Sequence, residues 1–389
     1  MGDERSILTF IIFFTVALSI YGGANFYIIR RGWQVLPDRT RVKRGYLALS
    51  VTAAASFILG RLLMSLSPGP AGEVFVWIGA FWLSIMVHLF FICVIIDMVR
   101  LADLVFPLIP RLWKEKGSRA RTVIGITAAG AAVLITAAGF VNSLFVRTKS
   151  LDIDMPFPDA PHNSLTVAVA TDLHVGSVMN SRRLRRIVDR LNAGNPDIVL
   201  LPGDIVDGSI HPGRAGRIKK ELARISAPYG VYACAGNHEF IAGIDTAAAF
   251  IRSAGITFLR DEAREIAGCI ILAARDDVSG AHFAGTGRKP LEEILRGADR
   301  SKPVVLMDHT PSNLDRAVKN GVDLQVSGHT HHGQIFPFDL ITGWIYENDW
   351  GYMKKGDTHF YVSCGAGTWG PPVRTNSVSE IVLIKCNFK

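Results

Sequence analysis

The stretch VSGHTHHGQ, residues 326–334, sets His329, His331 and His332 within four positions, after an apolar run and between Gly328 and Gly333. Imidazoles at that density suit either ordinary hydrogen bonding or ligation of a metal ion, and residues elsewhere in the chain decide between the two. Asp172 and His174 stand in TDLHVG, Asp204 and Asp207 in PGDIVDG, Asn237, His238 and Glu239 in AGNHEF, and His309 in MDHTP. Imidazole and carboxylate together suit Mn, Fe, Zn and similar divalent ions, and one carboxylate can bridge two of them. The pairs Asp172/His174 and His329/His331 are two positions apart, so on extended segments their side chains leave the same way. Two ions roughly 3.5–4 Å apart can clamp the attacking and leaving oxygens of a phosphoryl displacement and lower the pKa of a bound water. A structural zinc site fits this Asp- and Asn-rich set poorly, because such sites favour four cysteine or histidine ligands.

Each of these blocks ends a short apolar run. Leu165–Thr171, Asp197–Gly203, Gly230–Gly236, Cys269–Ala274, Pro303–Asp308 and Val322–Gly328 read as buried strands, with amphipathic helices between them. Leu184, Ile187, Val188 and Leu191 carry the spacing of one buried helix face. Residues at the carboxyl ends of successive strands converge on one crevice in open α/β sheets. The spacing therefore predicts an α/β domain over 165–389, long enough for a substantial core.

The first 150 residues read differently. Four apolar stretches, Ile7–Ile29, Tyr46–Leu66, Val74–Ile96 and Thr122–Val146, each reach the about 20 residues that a bilayer crossing needs. The leader MGDERS is not net basic and the first apolar core is long, which favours a retained helix over a cleaved signal. The expected organisation is an all-α four-helix transmembrane region over 1–150, a Pro- and Asp-rich linker over 151–164, and the α/β domain. Small residues crowd Gly125–Gly139, where they would let helix backbones approach closely. His88, inside the third span, reads as an interior hydrogen-bonding residue.

The 389 residues carry a net charge of +8, and its placement gives it meaning. Residues 1–150 hold 16 Lys plus Arg against 7 Asp plus Glu, whereas 151–389 are nearly balanced, so no basic face remains to bind nucleic acid. Arg30–Arg44 and Arg100–Arg121 each hold six basic residues, and the loop between the second and third spans holds none. The basic loops should face the cytoplasm, which puts the α/β domain on the extracytoplasmic side. The five cysteines lack metal-ligand spacing and read as buried thiols.

Taken in order, DLH, GDIVD, GNHE, a lone His after a strand and GHTH resemble the calcineurin-like metallophosphoesterases. The tail, GHTHHGQIFPF followed by YVSCGAGTWGPPVRTNSVSEIVLI, is similar to membrane-associated bacterial members of the YkuE type, so the resemblance covers about residues 165–384. It implies a β-sandwich flanked by helices and two divalent metal ions. Asp172, His174 and His331 would hold one ion, Asn237, His309 and His329 the other, and Asp204 would bridge them. His238 would serve as general acid or electrostatic stabiliser, with Glu239 placed to orient it. Asp207 is either an outer partner of the site or a structural carboxylate at a strand end. His332 stands where relatives commonly have glycine, and either approaches substrate or tolerates the turn.

The expected activity is hydrolysis of a phosphoester or pyrophosphate bond, of a lipid or envelope substrate, by a metal-activated hydroxide. Aromatic residues in Ile335–Met353 could lie near lipid, shape an apolar slot or fill core. Two alternatives stand beside this reading. One is a cytoplasmic hydrolase of a UDP-diacylglucosamine-type lipid pyrophosphate, which needs the opposite topology; the other is a non-enzymatic membrane sensor or scaffold on a degenerate phosphoesterase fold.

Overall fold

A computed structural model describes residues 2–67, 69–110, 119–208, 212–285 and 287–389, and divides into two compact units, Met1–Gly139 and Phe140–Lys389. The first unit is helical: α1 Gly2–Val35, α2 Thr40–Leu66, α3 Pro70–Ala102 and α4 Arg119–Ser143, whose last turn belongs to the second unit. Pro70, with φ already set and no N–H to satisfy, opens α3, and Glu73 in its first turn and Arg100 in its last suit the helix dipole. Among the described residues α2, α3 and α4 are long and apolar enough to cross a membrane. At 1.5 Å per residue they reach about 40, 50 and 37 Å, against a hydrocarbon core of about 30 Å. The first expected span falls within α1, and the side chains at its start lie outside the described residues.

Close backbone approach is seen between α2 and α3. A Cβ on Gly60 would stand 2.5 Å from the backbone nitrogen of Val76, and Gly79 abuts the Phe57 backbone, so α2 and α3 cross where glycine permits it. In α4, Gly125 meets only the Val35 side chain and Gly130 faces open space. His88 is buried, its Nδ1 donating to the Ser84 carbonyl at 2.8 Å, with the Thr136 hydroxyl 3.5 Å away.

The second unit contains two six-stranded mixed sheets. The first runs β1 (Val146–Met155), β12 (Ser379–Phe388), β2 (Ser164–Val169), β3 (Ile198–Pro202), β4 (Val231–Cys234), β5 (Thr257–Phe258). The second runs β10 (Gly351–Lys355), β11 (Thr358–Val362), β9 (Leu324–Ser327), β8 (Val304–Met307), β7 (Ile270–Ala274), β6 (Glu262–Ile266). One buried cluster draws Val169, Leu200 and Val382 from the first sheet and Leu272, Val305 and Leu324 from the second. Another lies beneath the helices α5 (Ser181–Ala193), α6 (Pro212–Leu222), α7 (Asn237–Ile241) and α8 (Ile244–Ser253). All four apolar residues expected on the α5 face are buried, and the Asn180 side chain caps the helix by accepting from the N–H groups of Arg182 and Arg183.

The six strands read from the sequence correspond to β2, β3, β4, β7, β8 and β9. The stretch read as a linker differs: its first five residues complete β1, which pairs in parallel with β12 along its whole length. Leu151, Ile153 and Met155 alternate with Asp152 and Asp154, the period of a strand with one face inward, and Ile153 and Met155 are buried. All five cysteines are free, four of them buried.

Candidate metal centre

The parallel strands β2, β3 and β4 of one sheet and β8 and β9 of the other all deliver their polar residues just past their carboxyl ends. Asp172, His174, Asp204, His329, His331 and His332 have φ between 46° and 71°, the left-handed region. For residues other than glycine that conformation costs on the order of 1–3 kcal/mol each and concentrates at functional sites. Gly203 supplies the room: a Cβ there would stand 2.6 Å from Nδ1 of His309 and 2.7 Å from Gly236.

The side chains form adjoining groups, Asp172 with His174 and His331, and Asp204 with His309 and His329, while Asp204, His174 and His238 make a third between them. In the first, Nε2 of His174 lies 3.0 Å from Nε2 of His331, and Asp172 Oδ1 is 3.8 and 3.4 Å from those two nitrogens. In the second, Asp204 Oδ2 is 3.2 Å from Nε2 of His309, and the amide oxygen of Asn237 is 2.9 Å from Nδ1 of His329. Asp204 Oδ2 also lies 3.7 Å from His174 Nε2, while its Oδ1 accepts the His238 N–H at 2.8 Å. All seven residues read as ligands are thus brought together, and six of them converge in groups able to hold a metal ion.

The donor set fits divalent cations on its own chemistry. His309 Nδ1 donates to the Pro202 carbonyl at 2.8 Å, which directs Nε2 at Asp204 Oδ2, 3.2 Å away. Burial lowers His174 to about 3 and His329 to about 4, and drives His331 well below its ordinary value, so these imidazoles are neutral and offer lone pairs. Burial pushes Asp172 up to about 7. Burial also acts to raise Asp204, but His309 beside it holds that carboxyl well below the usual range; reciprocally, Asp204 overcomes burial and holds His309 far above its ordinary value. Carboxylates and lone pairs crowded into a dry crevice are what a bound cation neutralises.

Asp207, for which one reading is an outer partner of the site, takes the orienting position expected of Glu239. Glu239 is fully buried, and its carboxylate accepts from the backbone N–H groups of Asp204, Ile205, Val206 and Gly236 at 2.8–3.0 Å. It pins the turn after β3 and does not orient His238. That position belongs to Asp207, whose Oδ1 is 3.2 Å from Nδ1 of His238. Adjacent helical residues point about 100° apart, which sends Glu239 beneath the turn while His238 faces the crevice. Burial acts to lower His238, but the Asp207 hydrogen bond and the Asp204 charge leave it above its ordinary value.

His332 belongs to the loop. Its Nδ1 lies 2.8 Å from Oδ2 of Asp349, which also accepts from the Thr342 hydroxyl at 2.7 Å, and its ring rests against Trp350.

Two residues of the centre escaped sequence reasoning. Asp277 follows β7 in ARDDV, accepts from the Thr310 hydroxyl at 2.5 Å, and is held below the usual range against burial by His309. Its position past a strand end was the available signal. Arg374, fully buried, donates to the carbonyls of Cys364 and Gly367 at 2.7 Å and lies 3.4 Å from Nδ1 of His331. A lone arginine among the small residues of the tail was its mark.

Residues 165–333 match the family model described as calcineurin-like phosphoesterase. An uncharacterized metallophosphoesterase of Aquifex aeolicus is 32% identical over 261 residues, covering 66% of this chain and 98% of the relative. One from Campylobacter jejuni is 28% identical over 98% of this chain and 100% of its own length. A transmembrane protein with metallophosphoesterase domain from Danio rerio is 30% identical over 78% of this chain and 73% of its own.

Proposed function

This chain belongs to the calcineurin-like metallophosphoesterase family, and from that premise we propose that it is a membrane-anchored, dinuclear-metal phosphoesterase. The observation that carries the reading is the position of Asp204, whose Oδ2 lies 3.7 Å from Nε2 of His174 in one ligand group and 3.2 Å from Nε2 of His309 in the other. Asp172, His174 and His331 would hold one divalent ion, and Asn237, His309 and His329 the other, with Asp204 between them. Bound there, two such ions supply charge neutralisation at phosphorus and a water acidic enough to act as nucleophile near neutral pH.

The chain's own groups provide the remainder. His238 is held by Asp207 through Nδ1, so its other ring nitrogen is available to donate a proton to the departing oxygen. The raised basicity of His238 keeps that proton on the ring to higher pH. Arg374 and Glu239 fix the loops that carry the ligands. The completeness of this set argues for an enzyme over a scaffold with a degenerate site.

Four spans, α1 included, with the catalytic unit on the extracytoplasmic side, agree with the two basic loops, and the substrate is then a lipid-linked or other envelope phosphoester. The test is hydrolysis of a chromogenic phosphodiester by the purified full chain with added manganese, alongside a count of bound metal. Activity lost in His238→Ala with metal retained supports the mechanism; activity unchanged in that variant overturns it.

A further inference from the structure

The helix Phe338–Ile345 inverts the usual arrangement of a surface helix. None of its eight residues is buried, and Leu340, Ile341, Trp344 and Ile345 stand exposed, together with Phe336 just before it. Trp344 is 86% exposed. The segment 335–346, IFPFDLITGWIY, has Asp339 as its single charged residue. By contrast, α5 buries every large apolar residue it has and shows arginines to solvent. Concentrated apolar exposure of this kind marks an interaction surface.

That surface is coupled to the centre. Thr342, on the helix, donates to the same Asp349 oxygen that holds His332, and the ring of Tyr346, which follows the helix, stands 6.0 Å from that of His329. Trp369, also exposed, places its ring 6.3 Å from His238.

We propose that Phe336 and the helix Phe338–Ile345 bed their apolar side chains in the lipid–water interface of the bilayer that the chain's own helices cross, so that the metal centre takes phosphoesters presented at a lipid surface. The inference rests on reading α2, α3 and α4 as membrane spans. Three observations favour lipid over protein as the occupant. The unit is tethered, since β1 begins at Val146 after α4 ends at Ser143, and a tether that short supplies the effective concentration at which a small face suffices. The exposed side chains are Trp, Phe, Leu and Ile, with Asp339 the single charge in 335–346, the apolar side chains that lie in a lipid–water interface. Six side chains, Phe338 included, also fall short of the roughly 20–30 residues a side that a stable protein interface uses.

The experiment places nitroxide labels on the full chain carrying Cys93→Ser, reconstituted in phosphatidylcholine–phosphatidylglycerol nanodiscs. Separate cysteines at Trp344→Cys, Leu134→Cys in α4 and Lys385→Cys on β12 report collision with oxygen, which partitions into lipid, and with a water-soluble nickel chelate. The expected result is that position 344 prefers oxygen, as 134 does, while 385 prefers nickel. A 344 label that follows 385 overturns the inference, and so does one shielded from both reagents, which would mean that protein covers the face. Loss of the oxygen preference at 134 would defeat the span reading itself, a different failure. None of these readouts depends on hydrolytic activity.

Discussion

Nδ1 of His238 lies 3.2 Å from a carboxylate oxygen of Asp207, a residue thirty-one positions earlier and past the end of a different strand. Glu239, the covalent neighbour of His238, instead gives both of its oxygens to backbone N–H groups. The ordering of the His238 ring is therefore a product of the fold. Its neighbour in sequence has another task.

Removing the Asp207 charge should move the pH profile. His238 sits above its ordinary pKa chiefly because the Asp207 hydrogen bond and the Asp204 charge outweigh burial. The protonated ring thus persists as pH rises, and Asp207→Asn should lower that pKa and shift the alkaline limb of kcat/KM to lower pH. His238→Ala should reduce kcat by about 10²–10⁴-fold at constant metal content. An alkaline limb that stays in place in Asp207→Asn would remove His238 as the acid.

Glu239→Gln should cost stability. One amide oxygen cannot satisfy four buried N–H donors, and hydrogen bonds to a charged group are worth about 1.5–3 kcal/mol each. A loss of about 3 kcal/mol would lower Tm by roughly 6–12 °C for a unit of this size. Thermal unfolding of the full chain in detergent checks it.

Metal stoichiometry should separate the two halves of the centre. His331→Ala, in the group with Asp172 and His174, and His309→Ala, in the group around Asp204, should each reduce two bound ions to one. Asp204→Ala should reduce both occupancies, because its carboxylate faces His174 in one group and His309 in the other. Elemental analysis after dialysis distinguishes these outcomes, and equal loss in all three variants would contradict the shared-ligand arrangement.

Glu221 provides a stability linkage away from the site. It accepts from Arg185 and Arg224 at 2.6 and 2.7 Å, and the Arg185 hydrogen bond holds its carboxyl below the ordinary range. A depressed folded pKa contributes stability that is complete above the unfolded value of about 4.3 and is lost as pH falls through the lower folded value. Both arginines are largely exposed, so the contribution is about 1 kcal/mol or less and weakens with salt. Glu221→Gln should flatten the acid limb of stability below pH 5, which equilibrium unfolding across pH would reveal.

The metal-centre residues were legible because ligands must be particular chemical types, and strand ends are where an α/β sheet can present them. Short apolar runs marked the six central strands for the same reason: strands buried on both faces need continuous apolar sequence. Strand β1 was passed over because the Pro- and Asp-rich composition of 151–164 reads as a linker, although Leu151, Ile153 and Met155 alternate with Asp152 and Asp154. Arg374 was hidden because its satisfaction by the carbonyls of Cys364 and Gly367 depends on a loop conformation that no spacing encodes.

Sequence alone determined which side chains are chemically able to bind metal, and that three stretches beyond α1 are apolar enough to cross a bilayer, since both are properties of residue type and local order. Tertiary structure decided which carboxylate faces which imidazole. It assigned His238 to Asp207, Glu239 to the backbone and His332 to Asp349, and it turned the apolar helix Phe338–Ile345 outward. Those pairings join residues from separate strands and loops across a few ångströms, and distance in space is set by packing, which sequence separation does not record.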